Sequence, residues 1–232
     1  MSIGNCVHCS AKSEPCRHPV GTGPDWCPMN THSQLVARAV ELYDVPNTLE
    51  LALEAARQEA AAYAHDRPEP AIAHPIRCRL EETLEFCHRM QARRVGLAFC
   101  VGLRHEAAIV SRLFEQHGIE LCGVACKVGG VPKERLGLTD AEKVHVGEYE
   151  TMCNPVLQAL LLNEAGTDLN VMLGLCVGHD ALFLQHVRSP TTVLAVKDRV
   201  TGHNPLAALY NYRSYYRRLG LPADSTAEGQ EK

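Results

Sequence analysis

Residues 94–130 read RVGLAFCVGLRHEAAIVSRLFEQHGIELCGVACKVGG. Val95–Cys100 is an apolar run of strand length. His105–His117 carries apolar residues at helical spacing and is closed by Gly118. Ile119–Val128 is a second apolar run, after which Gly129, Gly130 and Pro132 turn the chain. Two strands joined through a helix form a βαβ unit, which places the strands parallel and the helix on a sheet face.

The pattern continues downstream. Asn154–Glu164 reads as a helix closed by Gly166, Asn170–Cys176 as a third strand, and His179–Val187 as a short helix. Thr192–Val196 reads as a fourth strand and Pro205–Leu219 as a last helix. Residues 133–150 are polar and show no period. The expected class is α/β: a Rossmann-like parallel sheet of about four strands with helices on both faces. That sheet domain spans residues 94–220, followed by a disordered tail at 221–232.

Upstream lies a helical segment, residues 32–93. Leu35, Val36, Ala39, Val40 and Tyr43 recur at helical spacing, and Asn47 and Thr48 offer caps for a second helix. Pro68, Pro70 and Pro75 break the chain before a third helix from about Ile76 to Ala92. Residues 1–31 have no apolar period and hold four cysteines. Such a segment buries too little apolar area to hold itself, and a bound metal would supply the missing stability.

Bulk properties narrow the function. A net charge of −4 and 5% aromatic residues argue against a nucleic-acid partner. No apolar run has the roughly 18 residues of a membrane span, and no basic-then-apolar leader opens the chain. A cytoplasmic protein is expected, and in that reducing compartment eleven cysteines point to metal or redox work.

Cys6, Cys9, Cys16 and Cys27 form the first group. A Cys-x2-Cys pair bites one ion from a single turn, and four thiolates satisfy either tetrahedral zinc or a cubane iron–sulfur cluster. The plain alternative is four free thiols. Cys100, Cys126, Cys153 and Cys176 form the second group, which only folding can assemble. Three of them end strands, and Cys153 precedes Asn154-Pro155 at a helix start, where the dipole lowers a thiol's pKa. In an open parallel sheet, ligands bind at the carboxyl ends of the strands. A lone strand cysteine is usually core, but four at one edge suggest a shared site, a 4Fe-4S cluster first among them.

Lys197, Asp198, Arg199 and His203 follow the fourth strand, His179 and Asp180 the third, and Arg104, His105 and Glu106 the first. Lys197, Asp198, His179 and His203 are the candidate catalytic residues, able to bind an anion or move protons, although each alone reads more readily as a cap or a surface ion pair. Cys78 and Cys87, on opposite sides of a helix, and Cys122 read as core.

The strings AFCVGL at 98–103, CKVG at 126–129, MCNP at 152–155, GLCVGHD at 174–180 and KDRVTGHNP at 197–205 resemble one uncharacterised prokaryotic family. It is known as domain of unknown function 1847, and its members are often labelled metal-binding. The resemblance spans nearly the whole chain and implies metal binding without a reaction. Members often carry a second cysteine where Ala125 stands, which points to Cys126 as the ligand.

The leading expectation is an iron–sulfur protein whose sheet-edge cluster binds or transforms a small sulfur-containing or anionic molecule. The N-terminal site would hold zinc or a second cluster. A zinc-handling or sensing protein without catalysis is the alternative. The expected partners are a small-molecule ligand or a redox partner, with neither nucleic acid nor membrane.

Overall fold

The computed structural model describes residues 6–9, 11, 15–18, 23–64 and 73–220. The tail expected at 221–232 lies outside them, as do the chain-breaking Pro68 and Pro70. The chain divides into two compact units, residues 1–75 and 76–232.

The first unit holds 3-10 turns at Cys6–His8 and Pro15–Arg17, then helices α1 (Pro28–Thr31), α2 (Ser33–Leu42) and α3 (Pro46–Ala61). Helix α3 starts at Pro46, with Asn47 and Thr48 inside its first turn instead of capping it. Proline suits that position because its fixed φ is helical and it has no N–H to leave unpaired.

The second unit begins with α4 (Arg79–Arg89). Strands β1 (Arg94–Phe99), β2 (Glu120–Ala125), β3 (Leu169–Leu175) and β4 (Thr191–Val196) follow. Helices α5 (Arg104–Gln116), α6 (Pro155–Glu164) and α7 (His179–His186) connect them, and α8 (Leu206–Tyr210) comes last. All pairings are parallel, in the order β2-β1-β3-β4. The chain steps from β1 outward to β2, then crosses back to β3 on the other side. Right-handed crossovers in opposite directions put their helices on opposite faces.

The two cores show this directly. On one face Val95, Leu97, Leu169 and Val171 pack with Leu84 and Cys87 of α4 and with Ala107, Val110 and Phe114 of α5. On the other, Ala98 and Met172 pack with Ala159 and Leu162 of α6 and Phe183 of α7. Strand side chains alternate between faces, so β1 and β3 feed both cores and read as largely apolar runs, with Asn170 the polar residue inside β3. Gly96 makes room for buried Asn170: a methyl on it would stand 2.1 Å from Asn170 Oδ1. Gly174 interrupts the alternation. Its φ of +67° breaks the register with β4 and turns Leu175 onto the opposite face from Leu173.

Two further expectations are corrected. Cys78 is exposed, not core: its side chain accepts from the backbone of Glu81, whose carboxylate returns to Cys78 N at 2.7 Å, a capping box for α4. The last helix ends at Tyr210, and residues 211–216 are turns. Asn211 Nδ2 donates to Ala207 O at 2.8 Å, the side-chain competition that disfavours helix continuation. Residues 133–150 form 3-10 turns at Lys133–Leu136 and Asp140–Glu142. Lys143 ties them together, 3.0 Å from Glu134 and 2.6 Å from Asp140. Among the described residues no helix is long and apolar enough to cross a membrane.

Candidate functional site

Cys100, Cys126 and Cys176 are each the residue that follows a strand: β1, β2 and β3. All three strands run the same way, so the thiols gather at one edge. β1 and β3 flank the point where strand order reverses, the crevice in which open α/β sheets bind ligands. Cys153 arrives from the long β2–α6 connection. Asn154 N donates to Cys126 O at 2.7 Å, which pins Cys153 beside Cys126, and Asn154 Oδ1 caps α6 by accepting from Leu157 N at 3.0 Å. Pro155 occupies the first helical position.

Three of the thiols interact as a chain with Cys126 in the middle. Cys153 Sγ lies 3.8 Å from Cys126 Sγ, and Val101 N donates to Cys126 Sγ at 3.3 Å. Cys126 also hydrogen-bonds Cys100. Cys126 is buried, and its contacts with Cys100 and Cys153 hold its thiol protonated, with its pKa pushed well up. The flanking thiols shift the other way. The hydrogen bond from Cys126, then Gly102 N–H and Lys197, bring Cys100 down to about 5. The Cys126 contact, then Lys127 and His179, bring Cys153 down to about 6. One S–H serves one neighbour at a time, so the two thiolates share that donor.

Cations surround this group. A methyl on Gly102 would stand 3.4 Å from Lys197 Nζ and 3.8 Å from Cys100 Sγ, so the amine and the thiol lie against the same backbone. Lys127 Nζ donates to Thr151 O beside Cys153. Cys176 is not hydrogen-bonded into the chain of three; Arg199 donates to its sulfur at 3.3 Å and lies within electrostatic range of Cys100 and Cys153 as well.

The other candidates divide. Lys197 hydrogen-bonds Cys100, and His179 lies within electrostatic range of Cys153. Asp198 instead accepts from Val200 N and Thr201 N, while Asp198 N donates to His203 Nδ1 at 3.1 Å. Both residues therefore fold the loop after β4. Arg104 lines a groove with Phe99 and Leu121, away from the thiols. Gln158, which no sequence motif marks as a site residue, is fully buried; its Nε2 donates to Phe99 O and Val124 O, tying together the ends of β1 and β2. A lone amide in the apolar run PVLQALLL was the available signal. Cys87 is buried, and burial lifts it to about 12, as expected of a core thiol. Cys122 is half-buried against the Cys100–Cys126 core.

In the first unit Cys6, Cys9, Cys16 and Cys27 line a single cavity of about 660 Å³ with Arg17, Trp26 and Met29. Cys27 precedes Pro28 at the start of α1, and Cys9 N donates to Cys6 O at 3.1 Å. Among the described residues no group of three or more His, Cys, Asp or Glu side chains stands in metal-holding geometry.

Sheet order and thiol placement together define a doubly wound α/β protein with a thiol-lined, cation-ringed crevice at its switch point. The chain belongs to the family described as "Protein of unknown function (DUF1847)", whose model matches residues 27–194. It is 40% identical over 185 residues to "Uncharacterized protein MJ0455" of Methanocaldococcus jannaschii, an alignment covering 80% of this chain and 88% of that protein.

Proposed function

We propose that the chain is a thiolate metal-binding protein whose functional centre lies in the switch-point crevice, held by Cys100, Cys126 and Cys153 with a coordination position open to a small anionic ligand. The observation that carries this reading is the convergence of three thiols from three chain segments beside Lys197 and His179. The donor set suits a soft metal, because thiolates select zinc or iron–sulfur clusters over hard cations. The surrounding cations offset thiolate charge and suit an anionic ligand. Three protein ligands with one open position are the mark of reactive metal sites, and a closed set of four marks structural ones.

The spacing of Cys126 and Cys153 supports a single ion of the zinc type best. Two thiolates bonded at 2.3 Å to one tetrahedral ion stand about 3.8 Å apart, and the two sulfurs lie at 3.8 Å. A 4Fe-4S cluster is the second reading. Cys176, at the end of the neighbouring strand, supports it by giving the crevice a fourth thiol. The cysteines lining the N-terminal cavity are assigned a separate structural zinc or cluster. A reducing cytoplasm, which keeps all eleven thiols free, is the compartment that suits both sites.

Anaerobic purification with metal and acid-labile sulfide analysis tests this reading on the wild type, Cys126→Ser and Cys6→Ser. Zinc without sulfide supports the single ion, whereas iron and sulfide in equal amounts support the cluster. Each serine variant is expected to lose the metal of its own site only. Unchanged metal content in Cys126→Ser would remove the crevice assignment.

A further inference from the structure

Four of the chain's seven tyrosines and three of its arginines fall within residues 210–218. The end of α8 at Tyr210 makes this cluster a turn instead of a helix face. The turn and the loop after β4 wall an open cavity of about 450 Å³. Val200 and Thr201 come from the loop, and Asn211, Tyr215, Tyr216 and Arg218 from the turn. Its volume falls within the roughly 300–1,000 Å³ of small-molecule sites.

The lining has two kinds of binding group. Tyr215 is 84% exposed, a large ring face open to solvent. Tyr216 carries Arg218, whose guanidinium carbon lies 4.7 Å from the ring centroid, while Arg218 NH1 donates to Tyr215 O at 3.2 Å. That contact uses one donor and fixes the guanidinium at the cavity wall. None of the ion pairs among the described residues includes Arg218. A held guanidinium without a carboxylate is a phosphate-recognition group, matched to two oxygens at once. Tyrosine faces stack on nucleobases with little regard to which base is present.

We propose that this cavity binds a nucleoside monophosphate, its base stacked on Tyr215 and Tyr216 and its phosphate on Arg218. The net charge of −4 speaks only for the whole surface, and this segment is a local exception to it. The cavity shares its loop with the crevice: Lys197 reaches Cys100, Arg199 reaches Cys176, and Val200 and Thr201 line the cavity. A nucleotide here would lie within one loop of the thiols, whatever metal they hold. The lining residues all lie beyond residue 194, where the match to the family model ends.

Equilibrium dialysis of the full chain with AMP, UMP, adenosine and inorganic phosphate tests the site. AMP and UMP are expected to compete for one site, with adenosine ~10-fold weaker for want of the charge-assisted contact. Tyr215→Ala is expected to weaken AMP ~10-fold through the lost stack. Arg218→Ala would bring AMP to the level of adenosine, and Arg218→Lys would restore part of the difference. Both positions are exposed, and an unchanged thermal midpoint checks the fold. Cys126→Ser is expected to bind AMP as the wild type does, which separates this site from any failure of the metal reading. No saturable AMP or UMP binding, free phosphate competing as well as AMP, or AMP affinity unchanged in both alanine variants would each overturn the proposal.

Discussion

Cys153 Sγ and Cys126 Sγ lie 3.8 Å apart although 27 residues separate them in the chain. The backbone bond from Asn154 N to Cys126 O sets that approach, so it does not depend on a metal. Without metal, the pair is therefore poised to close. A thiol oxidant such as diamide is expected to form a Cys126–Cys153 disulfide, seen as a cross-linked peptide after digestion. Bound metal should block it. A map dominated by other pairings would show that the two sulfurs do not meet in solution.

Thiolate chemistry in the crevice is expected at unusually low pH. Cys153 is drawn down to about 6, against an ordinary thiol value of about 8.5. A lowered pKa means that the thiolate forms above pH 6, so alkylation of the metal-free protein at Cys153 should be half-maximal near there and flat by pH 8. Cys87, buried and lifted to about 12, should stay unmodified throughout. Replacing the donor with Cys126→Ala should move the Cys153 profile upward. Peptide-resolved mass spectrometry between pH 5 and 9 reads all three.

Gly174→Ala is expected to cost about 2–4 kcal/mol, from the left-handed backbone and an overpacked neighbour together. Its φ is +67°, and the new methyl would stand 2.2 Å from Leu103 Cδ1. Leu103 N donates to Cys100 O, so the displacement passes to the crevice. Urea unfolding gives the stability loss. A variant as stable as the wild type would mean that the bulge can be rebuilt without glycine.

The β2–α6 connection is held by charge. Lys133 lies 2.7 Å from Glu150, and Lys133 first, then His145 N–H and Val144 N–H, lower the Glu150 carboxyl to about 2. A carboxyl depressed in the folded state stabilises the loop fully above its unfolded value of about 4.3, and that support is lost as pH falls toward 2. Hydrogen exchange in residues 133–150, corrected for intrinsic rate, should therefore rise below pH 4.5. Lys143→Met, which removes the link from Glu134 and Asp140, should make the same segment sensitive to protease at neutral pH. Protection unaltered by both treatments would assign the loop's order to packing.

Much of the sheet was legible because β1 and β3 are buried on both faces. Val95 to Phe99 is accordingly free of polar side chains, and Leu169 to Leu175 carries only one, the buried Asn170. Cysteines directly after three strands could be placed at one edge because parallel strands all end on the same side of the sheet. The last helix was misread because apolar spacing does not register Asn211 turning back on Ala207. Cys78 was misread because a thiol serving as a cap has the same sequence appearance as one in a core.

The roles within the edge were not legible. Asp198 and His203 have the residue types of catalytic groups, yet they fold their own loop, while Arg199 between them reaches Cys176. By itself the sequence determined the α/β class, the alternation of strands and helices and the gathering of thiols at one edge, because periodicity and burial are local properties of the chain. Only the tertiary structure decided that Cys126 stands between Cys100 and Cys153, that Cys176 hydrogen-bonds Arg199 and not the other thiols, and which cations accompany each. Those relations depend on strand order and loop path, through contacts between residues far apart in sequence that no local pattern encodes.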